Sequence, residues 1–543
     1  MTELTALPAE RHRWEKLLTR ADVEVHEGSL RLRESATPAE AHEADLLLVA
    51  DALTDAGITL TLIRHDPRTT ALVVDAADRA RAIAALRALG EREPFCVKPR
   101  GAAVRLAADL ADTTASPTSA ADAGDDAATA LRLYRPRRAG ALTLGIENAV
   151  CLEFWRRADG LVHAPRANAL TRRVFAEADV EPASVERHGR SWATLSGMFD
   201  PQPDEVDFPI DIVFSWVDGS SSDFQRQRAA QMAEYVVGEG DDGPARFRHV
   251  DELRFALRSV HMYAPWVRRI FIATDSPAPA WLADDPKVTI VRSEEFFADA
   301  SVLPTHNSHA VEAQLHRIDG LAEHFLYSND DMFFGRPVAP ELFFTAAGVS
   351  KFVECGVRIG TGPVRTERSG HDNALRVNRA LLRERFGRVI LRDLEHCAAP
   401  LRRSVMYEVE SAFPDDVART AASRFRSATD VSMTNSLYHY FALMTGRAVV
   451  SREPRVRYVQ TTLASSLREM QRLEQRRDAD MFCLNDGGSA EVPEQLRVRT
   501  LRATLERMFP VAAPWERRDG AEGDAEGGLS AAREPREANA APH

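Results

Sequence analysis

Asn329-Asp330-Asp331 follows the apolar run Phe325-Leu326-Tyr327 and precedes Met332-Phe333-Phe334-Gly335. Two adjacent acids point in different directions, so one can face a cation while the other braces the loop. Hard oxygen donors of this kind suit Mg²⁺ or Mn²⁺, which also binds substrate phosphates. The same run serves equally as a turn or a helix cap, and both readings stand on this motif alone. A second set is His306-Asn307-Ser308-His309 with Glu312 and His316-Arg317. Asn307 or Ser308 can cap a helix over 308–318, which would carry His309, Glu312 and His316 on one face. A helix start of this kind attracts phosphate, and the plainer alternative is a capped, solvated surface helix. The H-x-x-E-x-x-x-H spacing is not that of an HExxH zinc site. A third set is His371-Asp372 with Arg376 and Asn378, then His396, then Arg426 and Asp430 in a stretch read as helical. An imidazole can take a hydroxyl proton near neutral pH, and arginine grips phosphate oxygens with two N–H groups. Each of the 16 histidines, taken singly, is more often structural.

The elements that would position these residues are legible around them. Residues 210–217 form a buried-strand run ending at the turn Asp218-Gly219-Ser220-Ser221. Helices are expected near 225–236 and 251–263, strands over 267–273 and 287–292, and a strand over 325–327. Strands alternating with helices predict a mostly parallel, Rossmann-like sheet covered on both faces. Ligands of such sheets lie beyond the carboxyl ends of the strands, where Asp218, Asp275 and the Asp330/Asp331 pair stand. Upstream, a helix over 44–53, strands over 59–63 and 70–74, and a helix over 78–89 capped by Gly90 predict a smaller α/β unit of about 60 residues. Strands are also expected over 131–134, 142–144 and 151–155. Residues 112–128 read as a flexible loop and the end of the chain as disordered.

Length and composition bound the rest. A chain of 543 residues has room for two large domains or three to four of ~150 residues. Hydrophobic residues are 44% and charged residues 28%, the balance of a globular protein. The net charge of −12 argues against a general nucleic-acid binder. No run is long and apolar enough for a spanning helix, and residues 1–14 do not read as a secretory signal. The five cysteines are scattered and form no CxxC pair, which fits a reducing cytoplasm.

Taken in order, the motifs resemble the Stealth family. Asp211 through Gly219 is similar to its first region. Asp251 to Ser259, Ala264-Pro265-Trp266-Val267, Leu303-Pro304-Thr305, Asn307 to Glu312 and Phe325 to Gly335 are similar to its second. His396 to Asp430 resembles the third and Cys483-Leu484-Asn485-Asp486 the fourth. Together they run over roughly 209–490. The resemblance implies a GT-A-like α/β fold and an Mg²⁺- or Mn²⁺-dependent phosphotransferase. Its reaction would move a sugar 1-phosphate from a UDP-sugar to a hydroxyl of a glycan acceptor, in capsule or cell-surface polysaccharide synthesis. It further implies His396 as base, Asp331 with Asp330 at the metal, and Arg376 and Arg426 as phosphate clamps. Glu312 and Asn329 would line the donor site, and the Trp216-Val217-Asp218-Gly219 loop would hold the nucleotide. Asp372, Asn378 and Asp430 join the substrate-binding candidates, and Asp486 is a further metal candidate. Two departures stand out. Ser220-Ser221-Ser222-Asp223 displaces the acid usual after the first region's Gly-Ser, and His306 stands where an aromatic is common.

The expected organisation is an accessory α/β region over 1–205, a catalytic domain over 206–515 and a disordered tail over 516–543. The expected partners are a nucleotide sugar and a glycan, with no nucleic acid and no transmembrane segment. The expected place is the cytoplasm, with peripheral association at the inner membrane face left open. The competing expectations are a GT-A-like glycosyltransferase that releases UDP and an inactive carbohydrate-binding homologue.

Overall fold

The computed structural model describes residues 15–99, 101–110, 130–219, 250–486 and 490–517. The expected helix near 225–236, the loop near 112–128, the Ser220–Asp223 departure and nearly all of the tail lie outside the described residues.

Thr37 and Glu40 exchange side-chain and backbone hydrogen bonds, and Pro38 stands in the first turn, where its missing N–H is no loss. That start opens the helix Pro38–Asp55. The strands Thr61–Asp66 and Thr69–Asp75 form a hairpin whose turn is held by Asp66, which accepts the N–H groups of Arg68 and Thr69 at 2.9 Å each. In the helix Arg79–Gly90 the glycine is not a left-handed cap. It is the last helical residue, and a Cβ there would lie 2.4 Å from the backbone nitrogen of Ala108, so close approach requires the glycine. These elements are part of an eight-stranded sheet, not a 60-residue unit. Val150–Ala158 lies parallel to Thr69–Asp75 and antiparallel to Ala130–Tyr134, and the sheet runs on through Leu161–His163 to Val174–Ala176. Parallel pairing between segments so distant in the chain leaves no local pattern.

The second sheet carries the site. Its strands are β1 (Ile210–Ser215), β2 (Ile270–Ala273), β3 (Val288–Val291), β4 (His324–Asn329) and, after the short β5 (Met332–Phe334), β6 (Ala399–Arg402). The spatial order is β3-β2-β1-β4-β6, with the first four parallel and β6 antiparallel. The mostly parallel α/β expectation therefore holds. Helix α1 (Glu252–Tyr263) crosses from β1 to β2 and buries Leu253, Phe255, Leu257 and Val260. At the far end of β1 from the expected site, Asp211 accepts from the Arg268 guanidinium, Arg269 N and Ala322 N, so this buried acid is a structural tie. Strands β7 (Val456–Gln460) and β8 (Met481–Asn485) join β5 in a three-stranded sheet of order β5-β8-β7.

Two helical expectations change. Helix α2 (Ser308–Glu312) ends after five residues and passes into the turn Leu315–Arg317. His316 thereby leaves the face of His309 and Glu312, and its Nε2 meets Glu410 at 2.9 Å. Residues 424–430 are not helical, because the helix Pro414–Ala422 stops at Ser423. The reason is Asn307, whose side-chain amide donates to the carbonyls of Ser423 and Phe425 and pulls that segment onto the start of α2. Among the described residues no helix is long and apolar enough to cross a membrane.

Candidate active site

In the order β3-β2-β1-β4 the direction of winding reverses between β1 and β4, and such a switch point opens a crevice at the strand ends. The register pairs Ser215 with Asn329, so Trp216 to Gly219 and Asn329 to Asp331 leave the sheet side by side. The Trp216 N–H donates to Ala273 O and the Asp218 N–H to Ser276 Oγ at 2.9 Å, which fixes the loop after β1 against the end of β2. Asp275, the third acid at this edge, accepts from Ser293 N at 2.8 Å and caps a short helix, so it is structural. Asn329, Asp330 and Asp331 are half-buried. Asn329 Oδ1 accepts from the Tyr327 hydroxyl at 2.8 Å.

Asp331 is bound into the neighbouring sheet. Its carbonyl accepts from Leu484 N at 3.0 Å, and Cys483 Sγ lies 3.5 Å from its Oδ2. Burial, together with the charge of Asp331 and then Asp330, pushes the Cys483 thiol well up. Tyr458 pairs with Cys483 across β7 and β8, and burial with the charges of Cys483 and Asp331 pushes its phenol up to about 12. On the far side of Tyr458, 5.1 Å between ring centroids, stands His396. Asp486 follows the strand that carries Cys483, accepts from the Thr461 hydroxyl and lies 3.6 Å from Arg497.

His396 also faces His371, at 6.2 Å between ring centroids. His371 is the second residue of α3 (Gly370–Phe386), and its Nε2 meets Asp393 Oδ2 at 2.8 Å. Burial and then the neighbouring His371 hold the His396 imidazole below its ordinary value, against a smaller opposing pull from Asp393. The residue before His371 packs on the other predicted group: a Cβ on Gly370 would lie 2.8 Å from Arg426 Cβ. Arg426 donates to Ser308 Oγ at 2.9 Å, and its charge opposes the upward shift that burial and Glu312 impose on the buried Tyr327 phenol. One helix start thus meets His396 through its second residue and Arg426 through its first.

The remaining predicted residues support this arrangement from behind. Asp430 Oδ2 accepts from Asn307 Nδ2 and Ser427 N, both at 2.8 Å, which ties down the loop that bears Arg426. Glu312 is buried and accepts from Thr434 Oγ1 at 2.7 Å and from the Tyr327 hydroxyl at 3.3 Å, so it fixes Tyr327. Asn378 is buried and donates to Ser432 O. Arg376 is engaged within α3, with Asp372 Oδ1 at 2.6 Å and the Thr361 carbonyl at 3.3 Å. His306 stacks on Phe425 at 5.3 Å, which keeps an aromatic contact at that position. Sequence reasoning missed Tyr327, Tyr458 and Asp393. The parallel pairing of β7 with β8 brings Tyr458 to the site, and no local motif marks it.

Four family models match in the chain: Stealth protein CR1, conserved region 1, over residues 208–236; CR2 over 246–352; CR3 over 395–443; and CR4 over 471–526. The chain is 49% identical over 492 residues to the exopolysaccharide phosphotransferase CpsY of Mycobacterium tuberculosis (strain ATCC 25618 / H37Rv), covering 90% of each. It is 52% identical over 481 residues to an exopolysaccharide phosphotransferase of Nocardia farcinica (strain IFM 10152), covering 88% of each. A solved galactosyltransferase, LgtC, held with donor and acceptor sugar analogues, is 11% identical and has a TM-score of 0.27 over 56% of this chain and 95% of its own. That likeness is too loose to argue from. The class of protein is therefore an enzyme of the phosphotransferase kind. The chain belongs to the Stealth family.

Proposed function

We propose that this enzyme transfers a sugar 1-phosphate from a UDP-sugar to a hydroxyl of a glycan acceptor, in the synthesis of an extracellular polysaccharide. The observation that supports the reading is the shared helix start: His371 and Gly370 of α3 meet the His396 imidazole and the Arg426 side chain. In this reaction the acceptor oxygen bonds to the phosphorus next to the sugar and the bond to UMP breaks. His396 takes the hydroxyl proton, Arg426 binds phosphate oxygens, and the sugar C1–O bond is untouched, while Arg376, expected as a second clamp, is buried and engaged with Asp372 and the Thr361 carbonyl. The loop Trp216 to Gly219 contacts the nucleotide, and Asn329 faces the donor.

The donor set at the end of β4 fits a hard divalent cation: it offers half-buried carboxylate and amide oxygens from adjacent residues. Asp331 with Asp330 would hold Mg²⁺ or Mn²⁺, with Asp486 a further candidate. The ion would supply positive charge against the donor phosphates.

The test is the nucleotide released when the enzyme meets UDP-sugars, short glycan acceptors and Mg²⁺, with phosphorus NMR on the product. UMP and a phosphodiester are expected. UDP would mean that C1–O is cleaved and that the enzyme is a glycosyltransferase. Binding with no turnover would leave a carbohydrate-binding homologue. His396→Ala is expected to lower turnover by at least ~10², the contribution of a general base.

A further inference from the structure

The outer side of α3 and the hairpin laid across it carry charge opposite to the rest of the molecule. Residues 356–391 hold eight arginines and three acidic residues, in a chain of net charge −12. The strands Glu354–Arg358 and Arg392–Leu394 pair antiparallel, and Ile359 N donates to Leu391 O. The loop that follows is fastened along α3, where Arg379 donates to Gly360 O at 2.9 Å and Arg376 to Thr361 O, and within itself, where Arg368 donates to Pro363 O at 2.6 Å. This lip presents Val357, Val364, Val389 and Leu391 to solvent, at 64%, 38%, 48% and 54% exposure. Val357 is the most exposed large apolar side chain among the described residues. Arg358, Arg365, Arg383 and Arg388 are exposed among these aliphatics.

Bare aliphatic side chains interspersed with arginines match the boundary of an anionic lipid layer. The apolar groups leave water there, and the guanidinium groups meet lipid phosphates. A soluble polyanion would satisfy the charge and leave all four aliphatics wet. We propose that this lip docks the enzyme on an anionic lipid surface.

The test is sedimentation of the full chain with vesicles of phosphatidylcholine alone or with added phosphatidylglycerol. Binding is expected only with phosphatidylglycerol, and it is expected to weaken as salt rises. Val357→Asp with Leu391→Asp is expected to lower it about tenfold or more, and Arg388→Glu to lower it as well. All of these side chains are exposed, so the thermal midpoint should hold, and so should turnover on a soluble acceptor. Equal binding to both kinds of vesicle, or binding that the double variant retains, overturns the proposal. Capture of dextran sulfate by parent and double variant alike, with no vesicle binding, assigns the lip to a soluble polyanion and overturns it too. Sedimentation needs no turnover, so its outcome is separate from the phosphotransfer reading.

Discussion

His396 is held half-buried between His371 and Tyr458. Burial and the His371 charge disfavour the imidazolium, so the ring is neutral and ready to accept a proton around pH 7. Turnover is expected to rise with pH through a value below the ordinary histidine range and to be level near neutrality. His371→Ala removes a neighbour that disfavours the charged ring. The acidic limb should then move to higher pH, and an unmoved limb would show that another group sets it. Mg²⁺ is expected to raise the thermal midpoint of the parent, and Asp331→Asn is expected to remove that rise together with most of the activity, read by melting curves with and without the ion. The residue types for this chemistry are visible in the motifs, whereas Tyr458 becomes a neighbour of His396 only through strand pairing, and His371 meets Asp393, three residues before His396, only in the folded chain.

At the scale of elements, two glycines separate function from stability. A Cβ on Gly370 meets the Cβ and Cδ of Arg426 at 2.8 and 3.0 Å, so Gly370→Ala should displace that arginine. The expected result is weaker donor binding, seen as a raised KM, with the thermal midpoint little changed. A Cβ on Gly335 meets the carbonyl oxygen of Ala479 at 2.5 Å and the Phe482 ring at 3.3 Å. Backbone cannot step aside as a side chain can, so Gly335→Ala should cost about 1–3 kcal/mol in denaturant unfolding. The strands of the central sheet were readable from their apolar runs to within a few residues. The non-helical course of residues 424–430 was not, because a tie from Asn307, more than a hundred positions away, holds Ser423 and Phe425 against the start of α2.

For the whole molecule, the N-terminal region is built into the catalytic unit. Ala36, Ala41, Leu142 and Leu144 belong to one buried cluster with Ile210, Leu257, Leu326 and Met508. The C-terminal end is held by Glu516, which is buried and accepts from Arg254, Arg258 and Ala513 N. Burial alone would raise this carboxyl, and the bonds from Arg258 and Ala513 keep it below its ordinary value. Its contribution is therefore full above the unfolded-state pKa and is lost as pH falls through the folded one. Glu516→Ala leaves two arginines without their shared partner and should cost about 3–5 kcal/mol at pH 7. In Glu516→Gln the loss of stability on acidification should be smaller than in the parent, which parallel melts over a pH series would show.

The order of four motifs and the alternation of apolar strands with helices are properties of the chain itself. They were enough to define an α/β enzyme of the Stealth family and to point at the end of β4. Which acids are structural ties and which stands at the candidate site was decided by the tertiary structure. Asp211, Asp275 and Asp331 look alike in sequence, yet the first bonds arginine at the wrong end of β1, the second caps a helix, and the third meets the central strand of the three-stranded sheet. The physical reason is that strand pairing joins segments far apart in the chain. A carboxylate's neighbours are then set by register across the sheet, which no local spacing encodes.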